Sequence, residues 1–327
     1  MVDSSPRKAK DNDHIQKIAD VAFAYYKQNA TQQQIAQELN VSRSQVSRYL
    51  DQARELGIVN IDIVWPDSHN LEQEQRLKTA FPALRDAIVV PFSSKNLGEG
   101  DSLLGRTVAN YIMDVLTDDM LLGIGGGRSV RSVVKWLKPT SKNITVIQTM
   151  GSTGSFAQGI DYTLLANEAA KNLKSSLWTI NAPTVLWKNA GTVEDLMKTS
   201  NQLASVIRKS RNCDIYLLGV GAIGNDALFV QSGLLESSEI DVVRKAGAVG
   251  NICGVFFDSQ GNECDTEFKD RIVGVHKDSL VKADYSILVG FGVEKVKAII
   301  GALRGGIVNV LATDSETASL ILQQNGD

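Results

Sequence analysis

The chain has 327 residues, of which 43% are apolar and 22% are charged, and its formal net charge at pH 7 is −3. This length predicts two domains, and this composition is typical of a globular protein with a sizeable core rather than of a disordered or membrane-spanning chain. Charge does not indicate a nucleic-acid partner either, because residues 1–64 hold eight Lys or Arg against eight Asp or Glu. A prediction of DNA binding must therefore rest on a motif.

The first forty residues predict two helices. Apolar residues recur at helical spacing over residues 14–28, which predicts one amphipathic helix. Thr31 is the expected N-cap of a shorter second helix, whose apolar face includes Ile35. Asn40 lies in the turn that follows, since Asn tolerates the left-handed backbone that tight turns between helices often need.

A third helix carries the motif that indicates DNA binding. Ser42 is its expected N-cap and Gly57 marks its end. Its inner face is apolar and consists of Val46, Tyr49, Leu50 and Ala53. Its outer face is polar and consists of Arg43, Ser44, Gln45, Ser47 and Arg48. Arg and Gln side chains can form paired hydrogen bonds with guanine and adenine, and small hydroxyls reach bases or phosphates without crowding the groove.

An ordinary helical hairpin with a solvated outer face is the alternative to a DNA-binding motif. The small Ala36 at the helix crossing, the length of the turn and the capped polar helix favour a helix-turn-helix. We therefore predict that residues 1–64 form an all-α DNA-binding domain. The predicted DNA contacts are the outer residues of the third helix together with Thr31, Gln32 and Ser42. The alternation over residues 58–66 predicts a short strand that forms a wing or a link.

Apolar strands alternate with helices through the rest of the chain. The expected strands cover residues 87–91, 120–124, 144–149, 215–220, 248–258, 285–291 and 307–314. The expected helices cover residues 70–81, 103–116, 129–137, 163–173, 199–210, 294–304 and 315–323. Strands separated by helices of this length predict a mainly parallel sheet covered on both faces. Residues 65–327 should therefore form one larger α/β domain.

Glycine clusters follow three of these strands, at residues 123–127, in GSTGS at 151–155 and in GVGAIG at 219–224. In a parallel sheet, ligands bind beyond the carboxyl ends of the strands. One cluster alone is better explained by a tight turn between a strand and a helix. Three clusters at corresponding strand ends predict a shared anion pocket, in which backbone amides and the hydroxyls of Ser152, Thr153 and Ser155 hold a phosphate.

Nucleotide cofactors are not expected. In GIGGGR, Arg128 stands where a dinucleotide-binding fingerprint has its third spaced glycine, and no acidic residue follows about twenty positions later. The chain also contains no GKS or GKT phosphate loop. We therefore predict that neither NAD nor ATP binds and that no cofactor is needed.

Two charged residues are candidates for holding the rest of a small ligand. Asp258 would accept hydrogen bonds from sugar hydroxyls, and Lys295 would pair with a phosphate or a carbonyl oxygen. The alternatives are that Asp258 begins a turn and that Lys295 is a solvated helix residue. Gln231 is a weaker candidate for the same pocket. A further charged group, equally well explained as solvated, consists of Asp265, Glu267 and Arg271.

Metal and hydrolase sites are not supported by the sequence. The three cysteines, Cys213, Cys253 and Cys264, are widely spaced and form no CxxC pair. We expect reduced thiols in a cytoplasmic protein, without disulfides or zinc. The three histidines are too scattered for a metal site, and none accompanies a Ser or Cys signature of a hydrolase.

Taken in order, the motifs resemble those of the SorC family of bacterial transcriptional regulators. They are TQQQIAQELNVSRSQVSRYLDQARELGIV, LGIGGGRSVRSVV, GSTGS, GVGAIG, KAGAVGNICGVFFDSQG and KAIIGALRGGIVNVLATDSETA. The resemblance runs from about His14 to Gln323, and the ordered set is specific where any single motif is not. One stretch, NECDTEFKDRIVGV after DSQG, follows no shared pattern.

The resemblance implies an effector domain with a fold similar to glucosamine-6-phosphate deaminase and ribose-5-phosphate isomerase, without their catalysis. It also implies operator DNA as a partner, a phosphorylated sugar or a related small phosphate as inducer, and assembly into dimers or tetramers. Carried over by position, the pocket would contain Gly125, Gly126, Gly127, Arg128, Gly151, Ser152, Thr153, Gly154, Asp258 and Lys295. Two rival functions stay open: a sugar-phosphate isomerase or deaminase fused to a DNA-binding module, and a module that only assembles on DNA.

Overall fold

The computed structural model describes residues 6–59, 69–91, 97–153, 161–224, 229 and 233–326. The chain divides into two compact units, Met1–Val64 and Trp65–Asp327. In the described residues, no helix combines the length and the apolar character needed to cross a membrane.

The first unit contains three helices, α1 (Pro6–Tyr26), α2 (Gln32–Glu38) and α3 (Arg43–Glu55). Helix α1 begins earlier in the chain than the apolar periodicity predicts. The inner faces of all three helices meet in one core. Its buried residues are Ile18, Val21, Ala22, Ile35, Ala36, Val46, Tyr49, Leu50 and Ala53.

The ends of α2 and α3 follow from local side-chain chemistry. The Thr31 hydroxyl accepts the Gln34 N–H while the Gln34 side chain accepts the Thr31 N–H, which forms a capping box. Ser42 caps α3 by accepting the Gln45 N–H at 3.2 Å. Asn40 has a φ of 51°, so the turn between α2 and α3 uses the left-handed backbone that its sequence position predicts. The predicted strand over residues 58–66 lies mostly outside the described residues.

The second unit is built on a sheet of seven parallel strands in the order β1-β10-β9-β5-β2-β3-β4. These strands are β1 (Asp86–Val90), β2 (Leu121–Ile124), β3 (Thr145–Gln148), β4 (Ser176–Trp178), β5 (Ile215–Gly219), β9 (Tyr285–Val289) and β10 (Val310–Asp314). The prediction of a mainly parallel sheet is confirmed. Strand β4 was not predicted, because its three residues are too few to show a pattern.

Helices cover both faces of the sheet. They are α4 (Leu71–Ala80), α5 (Leu97–Val115), α6 (Arg128–Val134), α7 (Tyr162–Leu173), α8 (Val193–Thr199), α9 (Asn201–Ser210), α10 (Ser237–Lys245), α11 (Lys277–Lys282), α12 (Val296–Arg304) and α13 (Ser315–Asn325). One apolar core joins the sheet to α5, α6 and α7, and another joins its opposite face to α4, α10, α11, α12 and α13. Burial on both faces explains the nearly continuous apolar strands.

A small antiparallel sheet corrects the prediction of one long strand over residues 248–258. That stretch is a hairpin of β7 (Gly250–Ile252) and β8 (Val255–Phe257), and β6 (Gly221–Ala222) pairs with β7. Cys253 and Gly254 form the tip, with φ values of 48° and 76°. Two consecutive positive φ values are the geometry of a tight hairpin turn, which the apolar run conceals.

Candidate functional site

The strand order defines where a ligand site is expected. From β2 the chain proceeds to β3 and β4 on one side, whereas β5, β9 and β10 lie on the other side of β2. The carboxyl ends of β2 and β5 therefore flank the topological switch point, where open parallel sheets bind their ligands. The first and third glycine clusters follow these two strands.

The loop after β2 holds the glycines that the sequence singled out. A Cβ on Gly126 would lie 2.8 Å from the Tyr162 ring, and a Cβ on Gly219 would lie 3.1 Å from the Gly126 oxygen. Gly127 has a φ of 106° and forms the N-cap of α6 without a side-chain hydrogen bond. Glycine therefore lets the ends of β2 and β5 approach each other closely.

Backbone donors gather where this loop enters α6. The Gly125 N–H donates to the Leu217 oxygen at 2.8 Å. Within the described part of the chain, the next four N–H groups, from Gly126 to Ser129, donate to no acceptor. Consecutive amides without partners at the start of a helix form a concave donor set that suits an anion.

Ser129 is a candidate that the sequence analysis missed. It lies in the first turn of α6 and is 6% exposed. Its carbonyl accepts a hydrogen bond from Ser132, but its hydroxyl bonds to no other described residue. The sequence feature that could have identified Ser129 is its position two residues after the glycine run. That position alone does not distinguish a ligand-binding serine from any other serine in a helix.

Lys295 lies next to the third glycine cluster. It closes a short 3-10 turn, Val293–Lys295, that packs against strand β6. Its side chain is half-buried, and its Nζ lies 5.6 Å from the centre of the Phe291 ring. Because β6 follows β5 directly, the fold brings Lys295 to the same end of the sheet as the loop after β2.

The loop after β3 differs from the loop after β2, because the amides from Gly151 to Thr153 are all occupied. The N–H groups of Gly151, Ser152 and Thr153 donate to Val273, Ala182 and Asp161 respectively. A Cβ on Gly151 would lie 2.4 Å from the Pro183 oxygen. Gly154 and Ser155 lie outside the described residues.

Asp161 explains the conformation of Thr153. One carboxylate oxygen accepts the Thr153 N–H at 2.9 Å and the Thr153 hydroxyl at 2.6 Å. The other accepts the Thr163 and Leu164 N–H groups and so caps α7. Burial would raise the pKa of Asp161, but these hydrogen bonds from Thr153, Leu164 and Thr163 lower it below 3.8. The carboxylate is thus charged and holds the Thr153 donors.

The structure gives Asp258 the alternative role, the start of a turn. Its carboxylate accepts the Gln260 and Asn262 N–H groups at 2.9 and 2.8 Å, as well as the Asn262 side-chain amide. The Asp258 backbone oxygen lies 2.7 Å from the position of a Cβ on Gly301, so Asp258 packs against α12, the helix that follows Lys295. Its role as a ligand contact stays a prediction. Gln231 lies outside the described residues.

Arg271 is not part of a solvated charge cluster, which corrects that interpretation. Its side chain is 11% exposed, and its Nε donates to the Leu186 oxygen at 2.9 Å. It also pairs with Glu239 of α10 at 3.4 Å, so it joins three segments of the domain. Glu267 does fit the solvated interpretation, because it pairs with Lys188 and both side chains are about half exposed or more.

The tip of the hairpin formed by β7 and β8 packs against the loop after β2. The Cys253 Sγ lies 3.6 Å from the position of a Cβ on Gly125 and 3.5 Å from the Thr149 hydroxyl. Burial raises the pKa of the Cys253 thiol to about 11, so it stays protonated at neutral pH. The sequence indicated nothing special about this cysteine, because its position depends on the turn.

A separate cavity of about 390 Å³ opens at the opposite end of the sheet. Its lining residues precede β5 and β9 and are Arg211, Asn212, Cys213, Asp214, Asp278, Ser279, Lys282, Ala283 and Asp284. Parallel-sheet ligands bind at carboxyl rather than amino ends. The glycine-lined end is therefore the stronger candidate site.

In the first unit, the predicted DNA contacts lie on one side of α2 and α3. Arg43, Ser44 and Arg48 are exposed, whereas Gln45 and Ser47 are half-buried. The Arg43 Nε donates to the Gln32 side chain at 3.3 Å, which orients this arginine from the preceding helix. The Ser42 and Ser44 hydroxyls are hydrogen-bonded to each other at 2.8 Å.

Comparisons with known proteins agree along almost the whole chain. The family model "Putative sugar-binding domain" matches residues 66–323. The sorbitol operon regulator of Klebsiella pneumoniae is 32% identical over 96% of this chain and 100% of its own length. The deoxyribonucleoside regulator of Bacillus subtilis is 29% identical over 95% of this chain and 99% of its own.

Solved structures support the same assignment. The full-length sorbitol operon regulator SorC of Klebsiella pneumoniae superposes with a TM-score of 0.70 at 30% identity, covering 95% of this chain and 99% of that one. A probable sor operon regulator of Shigella flexneri superposes with a TM-score of 0.69 at 26% identity, covering 77% of this chain and 99% of that one. The fold, the helix-turn-helix motif and these matches together show that the chain belongs to the SorC family of transcriptional regulators.

Proposed function

We propose that this chain is a DNA-binding regulator of a carbohydrate-utilisation operon, controlled by a phosphorylated sugar that binds at the switch point of its α/β unit. The regulator works in the cytoplasm as a dimer or tetramer. One helix-turn-helix covers only a half-site, so a symmetric assembly reads a roughly palindromic operator.

The observation that carries the effector proposal is the convergence of three features at one end of the sheet. The amides from Gly126 to Ser129 lack acceptors among the described residues, β6 follows β5 directly, and the 3-10 turn that ends at Lys295 packs against β6. Backbone donors and a half-buried lysine suit an anionic group. The match to a sugar-binding family model supports a sugar as the rest of the ligand.

Regulation needs no chemistry at this site. A ligand that binds the operator-competent and operator-incompetent states with different affinity shifts their populations by that difference. The relatives are named as regulators, which supports the same interpretation.

A sugar-phosphate isomerase or deaminase is the second candidate function. In that mechanism Asp258 would act as base and Lys295 as electrophile on the same substrate. The Asp258 carboxylate accepts the Gln260 and Asn262 N–H groups of its own turn, and hydrogen bonds to a carboxylate weaken it as a base.

One experiment separates the candidates. The full chain is incubated with a panel of aldose and ketose phosphates, while turnover, thermal stabilisation and binding to operator DNA are measured. We expect saturable stabilisation by one compound, a change in operator affinity and no turnover. Turnover would instead support the enzyme, and no response to any compound would support a module that only assembles on DNA.

Contacts of the first unit with DNA need their own test. Arg43→Ala and Arg48→Ala should each weaken operator binding by about 1–3 kcal/mol, the range for a base-directed contact. Arg54→Ala is the matched control, because Arg54 lies in the last turn of α3 and pairs with Asp51. Fluorescence anisotropy with labelled operator measures all three. Equal losses in all three variants would contradict a role specific to the start of α3.

A further inference from the structure

Thr317 connects the candidate site to another part of the domain. Its hydroxyl accepts the Gly292 N–H at 2.9 Å, in a contact that is buried. Gly292 has a φ of 104° and is the N-cap of the 3-10 turn that ends at Lys295. The hydroxyl of Thr317 therefore fixes the backbone that carries Lys295.

The same threonine is itself held firmly at the start of α13. Its hydroxyl donates to Asp314 at 3.1 Å, and its N–H donates to the other carboxylate oxygen at 2.6 Å. Thr317 is 1% exposed and Asp314 is fully buried. Because all of these groups are buried, losing one hydrogen bond leaves a polar group without a partner, which opposes movement of the loop relative to α13.

The first turn of α13 then contacts the region where the chain enters the α/β unit. The Gln73 side chain donates to the Ser315 carbonyl at 3.0 Å and to the Ser319 hydroxyl at 2.7 Å. Asn70, the N-cap of α4, lies 3.4 Å from the Ser315 hydroxyl and donates its N–H to Val89 of β1. The residues that precede α4 in the chain lead back to the helix-turn-helix.

We propose that Thr317 is a positioning residue, which joins the Lys295 turn to α13 and α4 and so couples effector binding to DNA binding. This inference rests on the proposed function, because it assigns a route for the regulation of that same site. The effector touches the Lys295 turn, the Gly292–Thr317 hydrogen bond transmits its displacement to α13, and Ser315 transmits it to α4.

Thr317→Val tests the route, because it removes the hydroxyl and preserves the shape of the side chain. Wild type should show a change in operator affinity of about 5–150-fold at saturating sugar phosphate, the usual range of allosteric coupling. We expect this factor to fall below about twofold in Thr317→Val while the sugar phosphate still binds. Thr317→Ser keeps the hydroxyl and should restore the response.

Thr313→Val is the matched control. Thr313 is fully buried in the same segment, and its hydroxyl has no hydrogen-bond partner among the described residues. The substitution is identical, but no hydrogen bond is lost, so the response should equal that of wild type. Calorimetry gives the affinity for the sugar phosphate, and anisotropy with labelled operator gives the coupling.

The outcomes separate this inference from the proposed function. A wild type that responds to no sugar phosphate overturns both. A wild type that responds, with an equal response from Thr317→Val, overturns the role of Thr317 alone. If Thr317→Val does not fold, amide exchange of wild type decides: the sugar phosphate should change the protection of residues 69–80, and unchanged protection there contradicts the route.

Discussion

The loops after β2 and β3 start from similar glycine-rich sequences and adjacent parallel strands, yet they use their backbone in opposite ways. From Gly126 to Ser129 the loop after β2 has N–H groups without acceptors among the described residues. From Gly151 to Thr153 the loop after β3 has every N–H group engaged by neighbouring segments. Amino-acid composition therefore does not distinguish a loop that binds a ligand from a loop that anchors the fold. The two differ in whether their backbone N–H groups have acceptors within the protein.

This difference assigns separate tasks to the two loops. In the proposed function the loop after β2 presents donors to the sugar phosphate, so we expect changes there to alter affinity more than stability. The loop after β3 joins β3 to residues 182–184 and 273–275, so changes there should alter stability first. Substitutions at or beside each loop test these two expectations separately.

The largest effect is expected for Gly151→Ala. The new Cβ would lie 2.4 Å from the Pro183 backbone oxygen, so the neighbouring backbone must move. We expect a loss of about 3 kcal/mol in the free energy of unfolding of the α/β unit. Gly290→Ala is the control, because its nearest atom is a Val220 methyl group at 3.1 Å, and it should cost less than about 1 kcal/mol. Urea titration followed by circular dichroism compares them, and equal losses would contradict the anchoring role.

Lys295→Ala should weaken binding of the sugar phosphate by about 1.5–3 kcal/mol, the range for hydrogen bonds to charged groups. Operator affinity without the ligand should stay the same. Lys297→Ala is the matched control, because Lys297 is an exposed lysine in the next helical turn and should change affinity by less than about 0.5 kcal/mol. Calorimetric titration measures both. Unchanged affinity in Lys295→Ala would remove this lysine from the site.

Asp161→Asn should destabilise the protein by about 1–3 kcal/mol at neutral pH, because an amide nitrogen cannot accept the buried Thr153 N–H. Hydrogen bonds from Thr153, Leu164 and Thr163 outweigh burial and lower the pKa of Asp161 in the folded protein. Its stabilisation is therefore complete above the unfolded pKa of about 4 and is lost as the pH falls through the lower folded pKa.

The difference in stability between wild type and Asp161→Asn should thus be constant from about pH 5 to pH 8 and shrink in more acidic solution. Asp114→Asn, at an exposed position of α5, serves as control and should stay within about 0.5 kcal/mol of wild type. Thermal unfolding across the pH range measures all three proteins. A difference that grows towards acid would show that Asp161 does not act through its charge.

Ser129→Ala is the subtlest test of the loop after β2. We expect the Ser129 hydroxyl to bond to the sugar phosphate, so its removal should reduce affinity by about 1 kcal/mol and leave stability unchanged. Ser132→Ala should show the reverse pattern, because the Ser132 hydroxyl donates to the Ser129 carbonyl at 2.7 Å within the protein. Calorimetry and urea titration on both variants provide the comparison. Loss of stability without loss of affinity in Ser129→Ala would place its hydroxyl in the packing instead.

The sequence predicts only some residues of the candidate site, and individual residues show why. Lys295 and the loop after β2 were singled out by sequence, and the fold brings them to one end of the sheet. Asp161 and Thr317 were not, because their importance lies in accepting the distant backbone N–H groups of Thr153 and Gly292. Ser129 was not, because a serine in the first turn of a helix carries no local signal of a ligand. Asp258 does begin the turn that its sequence position indicates, and its role as a ligand contact stays a prediction.

The sequence by itself determined the helix-turn-helix and the alternation of strands and helices. Helical periodicity, the caps at Thr31 and Ser42 and the Asn40 turn depend on residues a few positions apart, so each is visible locally. Tertiary structure alone decided the strand order, the hairpin at Cys253 and Gly254, and the occupancy of each glycine loop's donors. These features depend on partners that are distant in sequence, and the local sequence around a backbone N–H group does not indicate which acceptor it will bind.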